Sequence, residues 1–465
     1  AVLPAARLLF RAIVFPGLAC MQMPPWTGYP AGNWRIGSGQ KEMRMNMNTT
    51  YTDQIYEPGT LPPLGCIPRR MHAWTIRQDR LGDPLTAFRD EIVELPALKP
   101  HEVLVANVSV GINYNGIWAA RGAPKNVLDA NGTYGDDRQS FHICGSEASG
   151  IVYATGEAVS NVRVGDPVIL SASKYDPDCP WIRSGGLPEY SPTYHMWGYE
   201  GNWGAFAQFS KVSDYQCVLK PSELDWDEAA VCCATGTTVN RMLCHWDGNR
   251  IREGDVVLIW GGAGGLGTSA IQQTRAYGGI PIAVVSGAER GAYCKSMGAA
   301  GYIDRTRFTH WGSIAGLDEA GMRRWSMQAA RFRNEIYEIA GGRINPAIVL
   351  EHPGGDTLAT SLFVCAPGGM VVLCGATTGY LATVDLRHLW IYQKRIQGSH
   401  AGSPENLKEY LCLRQTYDFA SSVCRVYPWD QLPNAHKDME QGTNLMGKFA
   451  VRILPDSWLE ERNCL

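Results

Sequence analysis

Hydrophobic positions along the chain change their period once, near Trp226. From Met71 to about Pro221 they come in short alternating runs broken by Gly, Pro and Asp, as in "EVLVANVSVGINYN" (102–115), "GIVYATG" (150–156) and "GDPVILSAS" (165–173). A period of two puts alternate side chains on one face, so these runs predict a mainly antiparallel β domain. Beyond Trp226 the apolar runs are continuous and alternate with helical spacing. "GDVVLIWGGAGGLGTSAIQQTRAYGG" (254–279) is strand, glycine cluster and helix, and "IPIAVVSGAERGAYCKSMGA" (280–299) is again strand then helix. "GYIDR" (301–305) ends a third strand, and "RRWSMQAARFRNEIYEIAGG" (323–342) is amphipathic at helical period and stops at Gly-Gly. "AIVLEHPGG" (347–355), "GGMVVLCGATTG" (368–379) and "KRIQGSH" (394–400) add three more strands. Strand alternating with helix specifies a doubly wound parallel sheet, and six strands in two halves fit its dinucleotide-binding form. The fold class is therefore α/β, a parallel Rossmann sheet beside an antiparallel β domain. The tail closes with "GKFAVRIL" (447–454) and is read as rejoining the first domain. The expected division is an N-terminal extension 1–70, a catalytic domain 71–225, a nucleotide domain 226–398 and a returning segment 399–465.

The glycine cluster contains Gly262, Gly264, Gly265, Leu266 and Gly267, a G-x-G-x-x-G placed after a strand and at the start of a helix. In that context the first glycine permits a tight turn and the second admits a pyrophosphate. The third lets helix and sheet pack, and the helix N-terminus attracts the phosphates. A site for NAD ends its second strand with an acidic residue that holds the ribose diol. Here Ser286 stands in that place, with Arg290 and Lys295 following and Glu289 as the contrary sign. A hydroxyl with two cations suits a 2′-phosphate, so the expected cofactor is NADPH. His352, near the carboxyl edge of the sheet, is read as part of the cofactor loop.

Composition narrows the class without deciding it. A net charge of -3 over 465 residues gives no footprint for nucleic acid or a membrane surface, and no apolar run is long enough to span a bilayer. Fourteen cysteines contain no C-x-x-C pair, so they read as small buried hydrophobes in a reducing, cytoplasmic setting. The first forty residues carry Arg7, Arg11 and Arg35, begin with Ala, and precede the first acid, Glu42. They are read as a targeting presequence, as part of a longer multidomain polypeptide, or as an extension without a fold of its own.

A β domain, a dinucleotide domain and a returning tail form the layout of the medium-chain dehydrogenase/reductase superfamily, whose catalytic domain is GroES-like. The chain resembles it from about residue 71 onward. Zinc-dependent members carry G-H-E before the glycine turn, whereas "ICGSEASG" (143–150) puts Ser146 where a ligating His would be. No complete zinc donor set can be assembled, and no metal is expected. Five strings sharpen the likeness: "GINYNGIWAARG" (111–122), "MWGYEGNWGAFAQF" (196–209), "VLIWGGAGGLG" (257–267), "VLEHPGGDT" (349–357) and "LRHLWIYQKRIQGSHA" (386–401). Together they resemble the enoyl-CoA carboxylase/reductases.

That resemblance implies NADPH-dependent reduction of a short-chain 2-enoyl-CoA, with CO2 fixed at the α-carbon. It implies a CO2 pocket of Asn115, Tyr199, Glu200 and His400, with Tyr199 replacing the family's Phe. Asn115 would donate to a CO2 oxygen, the ring of residue 199 would keep water out, and Glu200 would pair with His400. It also implies a homo-oligomer, dimer or tetramer, associated through the nucleotide domain. Two alternatives stand beside it. One is a reductase that protonates the enolate, such as an acryloyl-CoA reductase within a larger enzyme, for which a water held by the Tyr199 hydroxyl would suffice. The other is a quinone or 2-alkenal reductase, or a non-catalytic NADPH-binding protein. Arg387, Lys394 and Arg395 bear on the CoA reading if they lie near the cleft.

Overall fold

Both faces of the first strand beyond Trp226 are buried, which is why its run is apolar without alternation. Val257 and Ile259 belong to one apolar cluster, Val256, Leu258 and Trp260 to another on the opposite face. The computed structural model describes residues 50–130, 139–442 and 446–460. The three readings of the chain's beginning fall on residues outside these. The parallel sheet has six strands, Val256–Trp260, Ile280–Val285, Gly301–Asp304, Ile348–Glu351, Met370–Leu373 and Arg395–Gly398. Numbered in that order, they lie 3-2-1-4-5-6 across the sheet. The order reverses between the first and fourth strands, where sheets of this kind open a crevice for a ligand. The long amphipathic helix starts earlier than its apolar period suggests, at Glu319, because the Asp318 side chain accepts from the Gly321 N–H and caps it.

The alternating runs form a seven-stranded sheet built on the strand Glu102–Gly111. Ala148–Thr155 pairs antiparallel with it, and so do Phe209–Ser213 and the tail strand Lys448–Arg452. The tail contributes a second strand, Val423–Pro428, parallel to the first. The helix Trp226–Cys244 packs on the strand Glu102–Gly111 and on the helix Gly265–Ala276, so it is a wall shared by both sheets. Among the described residues no helix is long and apolar enough to cross a membrane.

One expectation is corrected. Residues 50–70 are not part of a loose extension. Thr50–Thr52 pairs with Cys66–Pro68, and Leu61 and Ile67 are buried in the core of the antiparallel domain. The Gln208 side chain also donates to the Tyr56 carbonyl at 3.0 Å. Asn115–Gly116, a strong turn dipeptide in isolation, lies in the first turn of the helix Tyr114–Arg121. Gly116 serves close packing there, since a Cβ would meet the imidazole of buried His436.

Glu351, at the end of its strand, is fully buried and accepts from the Gly354 N–H at 3.1 Å and the Thr357 hydroxyl at 2.7 Å. Burial nevertheless pushes its carboxyl up from 4.5 to about 7. Between those values the native state holds a proton that the unfolded chain has released, so stability falls as pH rises through that window. Urea unfolding across about pH 5 to 8 should show this slope, and Glu351→Gln should flatten it.

Candidate active site

The glycine turn opens at the carboxyl end of the strand Val256–Trp260. Its left-handed residue is Gly261, with φ +61°, rather than Gly262. Gly262 is required for a different reason: a Cβ there would lie 2.6 Å from that of Ala283 on the next strand. Gly267 packs its helix on the turn, because a Cβ would strike the Gly261 carbonyl. Gly264 faces open space, with the Gly261 carbonyl 3.5 Å away as its nearest contact, and no side chain caps the helix Gly265–Ala276 that follows. A phosphate approaching this uncapped helix N-terminus finds room at Gly264, so the residues present fit a dinucleotide.

This turn lies in a cleft of about 570 Å3 between the two sheets. Ser286, Arg290 and Arg305 are among the residues that line it. Arg290 donates to the Ser286 hydroxyl at 2.6 Å and to the Gly442 carbonyl at 3.2 Å, which holds the guanidinium across the end of the second strand. Lys295 is exposed on the helix Ala288–Ser296 and does not line the cleft. Arg305, one residue past the third strand, lines it instead. Gly264, Gly265 and Leu266 line the cleft too, as does His352, packed against the turn at Gly261. The His352 Nε2–H donates to the Trp260 carbonyl at 3.1 Å, and burial holds the imidazole pKa below its ordinary value.

Asn115, Ser146, Met196, Tyr199 and His400 also line the cleft. The Asn115 amide donates to the Ser146 hydroxyl at 2.9 Å and to the Met196 sulfur at 3.2 Å. Tyr199 is 7% exposed, and its hydroxyl has no hydrogen-bond partner. Burial raises its pKa, so it stays protonated and remains a donor. His400 is exposed at the cleft edge, edge-on to Tyr194, and the next residue, Ala401, has φ +53°. A left-handed Ala is strained and turns the chain sharply just after the imidazole.

Glu200 is the main departure. Its carboxylate accepts from Lys125 Nζ at 3.3 Å and from the Met196 N–H at 3.0 Å, so the expected pairing with His400 is replaced. Nor does Glu200 line the cleft. The ammonium and the N–H satisfy a carboxylate that sits just behind Met196 and Tyr199. The three basic residues weighed for CoA are engaged elsewhere. Arg387 pairs with Asp385 at 2.7 Å, buried Lys394 caps the carbonyls of Leu362 and Phe363, and Arg395 donates to the Asp247 carbonyl.

Asn113, Trp118 and Lys448 are among the cleft residues left unmarked in the sequence. Behind them Glu147 is fully buried and paired with Lys448. A signal for Glu147 existed. It is a carboxylate in a run of small and apolar residues, the same oddity that makes Glu200 conspicuous. Among the described residues no group of three or more His, Cys, Asp or Glu could hold a metal ion.

Comparison with known proteins places these features. Residues 99–222 match the alcohol dehydrogenase GroES-like domain and residues 265–415 the zinc-binding dehydrogenase domain. The chain is 40% identical to crotonyl-CoA carboxylase/reductase of Cereibacter sphaeroides, over 86% of this chain and 91% of the relative. The solved structure of crotonyl-CoA carboxylase/reductase AntE in complex with NADP superposes with a TM-score of 0.82 at 44% identity, covering 86% of this chain and 98% of that one. That of the 2-octenoyl-CoA carboxylase reductase CinF in complex with NADP and 2-octenoyl-CoA gives 0.76 at 33%, covering 85% and 92%. The chain belongs to the crotonyl-CoA carboxylase/reductase family of medium-chain dehydrogenase/reductases.

Proposed function

We propose that this chain reduces short-chain 2-enoyl-CoA thioesters with NADPH and traps the resulting enolate with CO2. The observation that carries this reading is a single cleft lined both by the glycine turn and by Asn115, Tyr199 and His400. When bound, the reduced nicotinamide supplies a hydride. Its arrival at the β-carbon leaves charge on the α-carbon and the thioester oxygen, and the electrophile at hand takes it. Asn115 donates to a CO2 oxygen, exchanging the weak Met196 sulfur for a better acceptor. The Tyr199 hydroxyl is a second donor, and the ring, beside Trp118 at 6.5 Å, excludes water. Glu200 acts indirectly: with Lys125 and the Met196 N–H it fixes the turn that presents Met196 and Tyr199. In this reading 226–398 is the nucleotide domain, residues 71–225 and 399–465 are catalytic, and the setting is the cytoplasm.

The unpartnered Tyr199 hydroxyl also supports a second reading, in which it holds a water that protonates the enolate. NADPH oxidation with crotonyl-CoA and acryloyl-CoA, with and without saturating bicarbonate and carbonic anhydrase, separates the two once products are weighed. Ethylmalonyl-CoA or methylmalonyl-CoA is expected, and only saturated acyl-CoA would overturn carboxylation. Tyr199→Phe should lower the carboxylated share, whereas a rise would assign the hydroxyl to the protonating water.

Arg290→Ala should raise the KM for NADPH about tenfold or more and leave that for NADH nearly unchanged, while Lys295→Ala should alter neither. The edge strand Arg395–Gly398 has no outer neighbour among the described residues, and Trp390, Ile391 and Ile396 are exposed beside it. An apolar, unpaired edge suits the same strand of a second copy across a twofold axis. Light scattering should therefore find a homo-oligomer, and Ile396→Asp should shift it toward monomer.

A further inference from the structure

Lys448 and Glu147 are more deeply buried than any role assigned so far requires, with side chains 3% and 0% exposed. A buried ion pair stabilises little beyond what apolar residues of the same volume would. Three observations give it a use. First, the Lys448 stem packs on Gly265, the first residue of the helix after the glycine turn, where a Cβ would overlap Lys448 Cγ and Cδ. Gly447, just before it, bridges to Gly264 and donates its N–H to the Ala263 carbonyl at 2.8 Å. The ammonium is thus carried past the N-terminus that fits a phosphate.

Second, the Lys448 ammonium donates to Asn113 Oδ1 at 2.6 Å, and Asn113 Nδ2 donates to Glu147 Oε1 at 2.7 Å. With the Lys448–Glu147 pair this closes a triangle. Third, Asn113 holds the N-cap position of the helix Tyr114–Arg121 yet makes no capping bond. Asn is among the best N-cap residues, so its diversion forgoes helix stability for the triangle. That helix carries Tyr114, Asn115 and Trp118, all of which line the cleft.

We infer that Asn113, Glu147 and Lys448 form a positioning network that joins a cofactor phosphate at the glycine turn to the helix carrying Asn115. The inference rests on the NADPH reading given above. A phosphate at the helix N-terminus shares the Lys448 ammonium with Glu147 and Asn113, so occupancy of the turn and the placement of Asn115 depend on one group.

The test uses Lys448→Met, Lys448→Arg and Asn113→Ala in the full chain. NADPH affinity is read by nicotinamide fluorescence without acyl substrate, and the carboxylated share of product is read by mass. Lys448→Met should weaken NADPH binding about tenfold or more, and Lys448→Arg should restore most of it. Asn113→Ala should lower kcat and the carboxylated share more than it raises the KM for NADPH. Unchanged NADPH affinity in folded Lys448→Met would overturn the phosphate link. Unchanged kcat and product share in Asn113→Ala would overturn the coupling. If Lys448→Met does not fold because Glu147 is left unpaired, the double variant Glu147→Gln/Lys448→Met removes both charges and takes the same measurements. Failure of the unaltered chain to oxidise NADPH with either thioester would sink the substrate reading, while the binding measurement would still judge the phosphate link.

Discussion

A carboxylate taken wholly out of water must find a partner or give up its charge. Burial pushes the Glu147 carboxyl upward in pKa, and Lys448, the Ala234 N–H and Asn113 pull it back. Each partner comes from a different element. Lys448 is on the tail strand, Ala234 is inside the helix shared by both sheets, and Asn113 stands before the helix that carries Asn115. Satisfying one oxygen pair therefore fixes the mutual placement of three elements. The cleft exists in its present shape because those elements cannot slide without exposing that charge to an apolar interior.

The glycine turn adds a constraint of a different kind. It is steric where the ion pair is electrostatic, and it works by excluding atoms. Gly262 and Gly267 draw the second strand and the helix to within contact of the turn, while Gly264 keeps the phosphate side clear. Lys448 lies where the two constraints meet, its stem on Gly265 and its ammonium on Glu147. The antiparallel and parallel halves are thereby joined at a point, beside the broad contact made by the helix Trp226–Cys244.

The sequence made both sheets legible, though not by a difference in burial. Val256–Trp260 is apolar throughout and covered on both faces, and Glu102–Gly111 is buried along its whole length too, its β reading resting on its valines and the turn residues that bound it. The glycine fingerprint was equally clear, since it depends on local geometry. What stayed hidden was pairing over long distances. Glu200 could be flagged as an odd carboxylate, but nothing local distinguishes Lys125 from His400 as its partner. Spacing pointed to Lys295 as a cation and left Arg305 unmarked. Only the turn after the third strand brings Arg305 to the cleft. Residues 50–70 look loose by composition, yet Leu61 and Ile67 find a core that the rest of the chain supplies.

The tail strand has a consequence for the order in which the molecule is made. Strand Lys448–Arg452 pairs directly with Glu102–Gly111, and the ion pair it brings spans 301 positions. During synthesis the nucleotide sheet has all six strands by Gly398, whereas the catalytic sheet still lacks its tail strands and keeps a buried carboxylate without its counter-charge. The parallel half is thus fully synthesised before the antiparallel half has all its strands. A nascent chain halted between Gly398 and Lys448 carries an open strand edge, the exposure that chaperones shield.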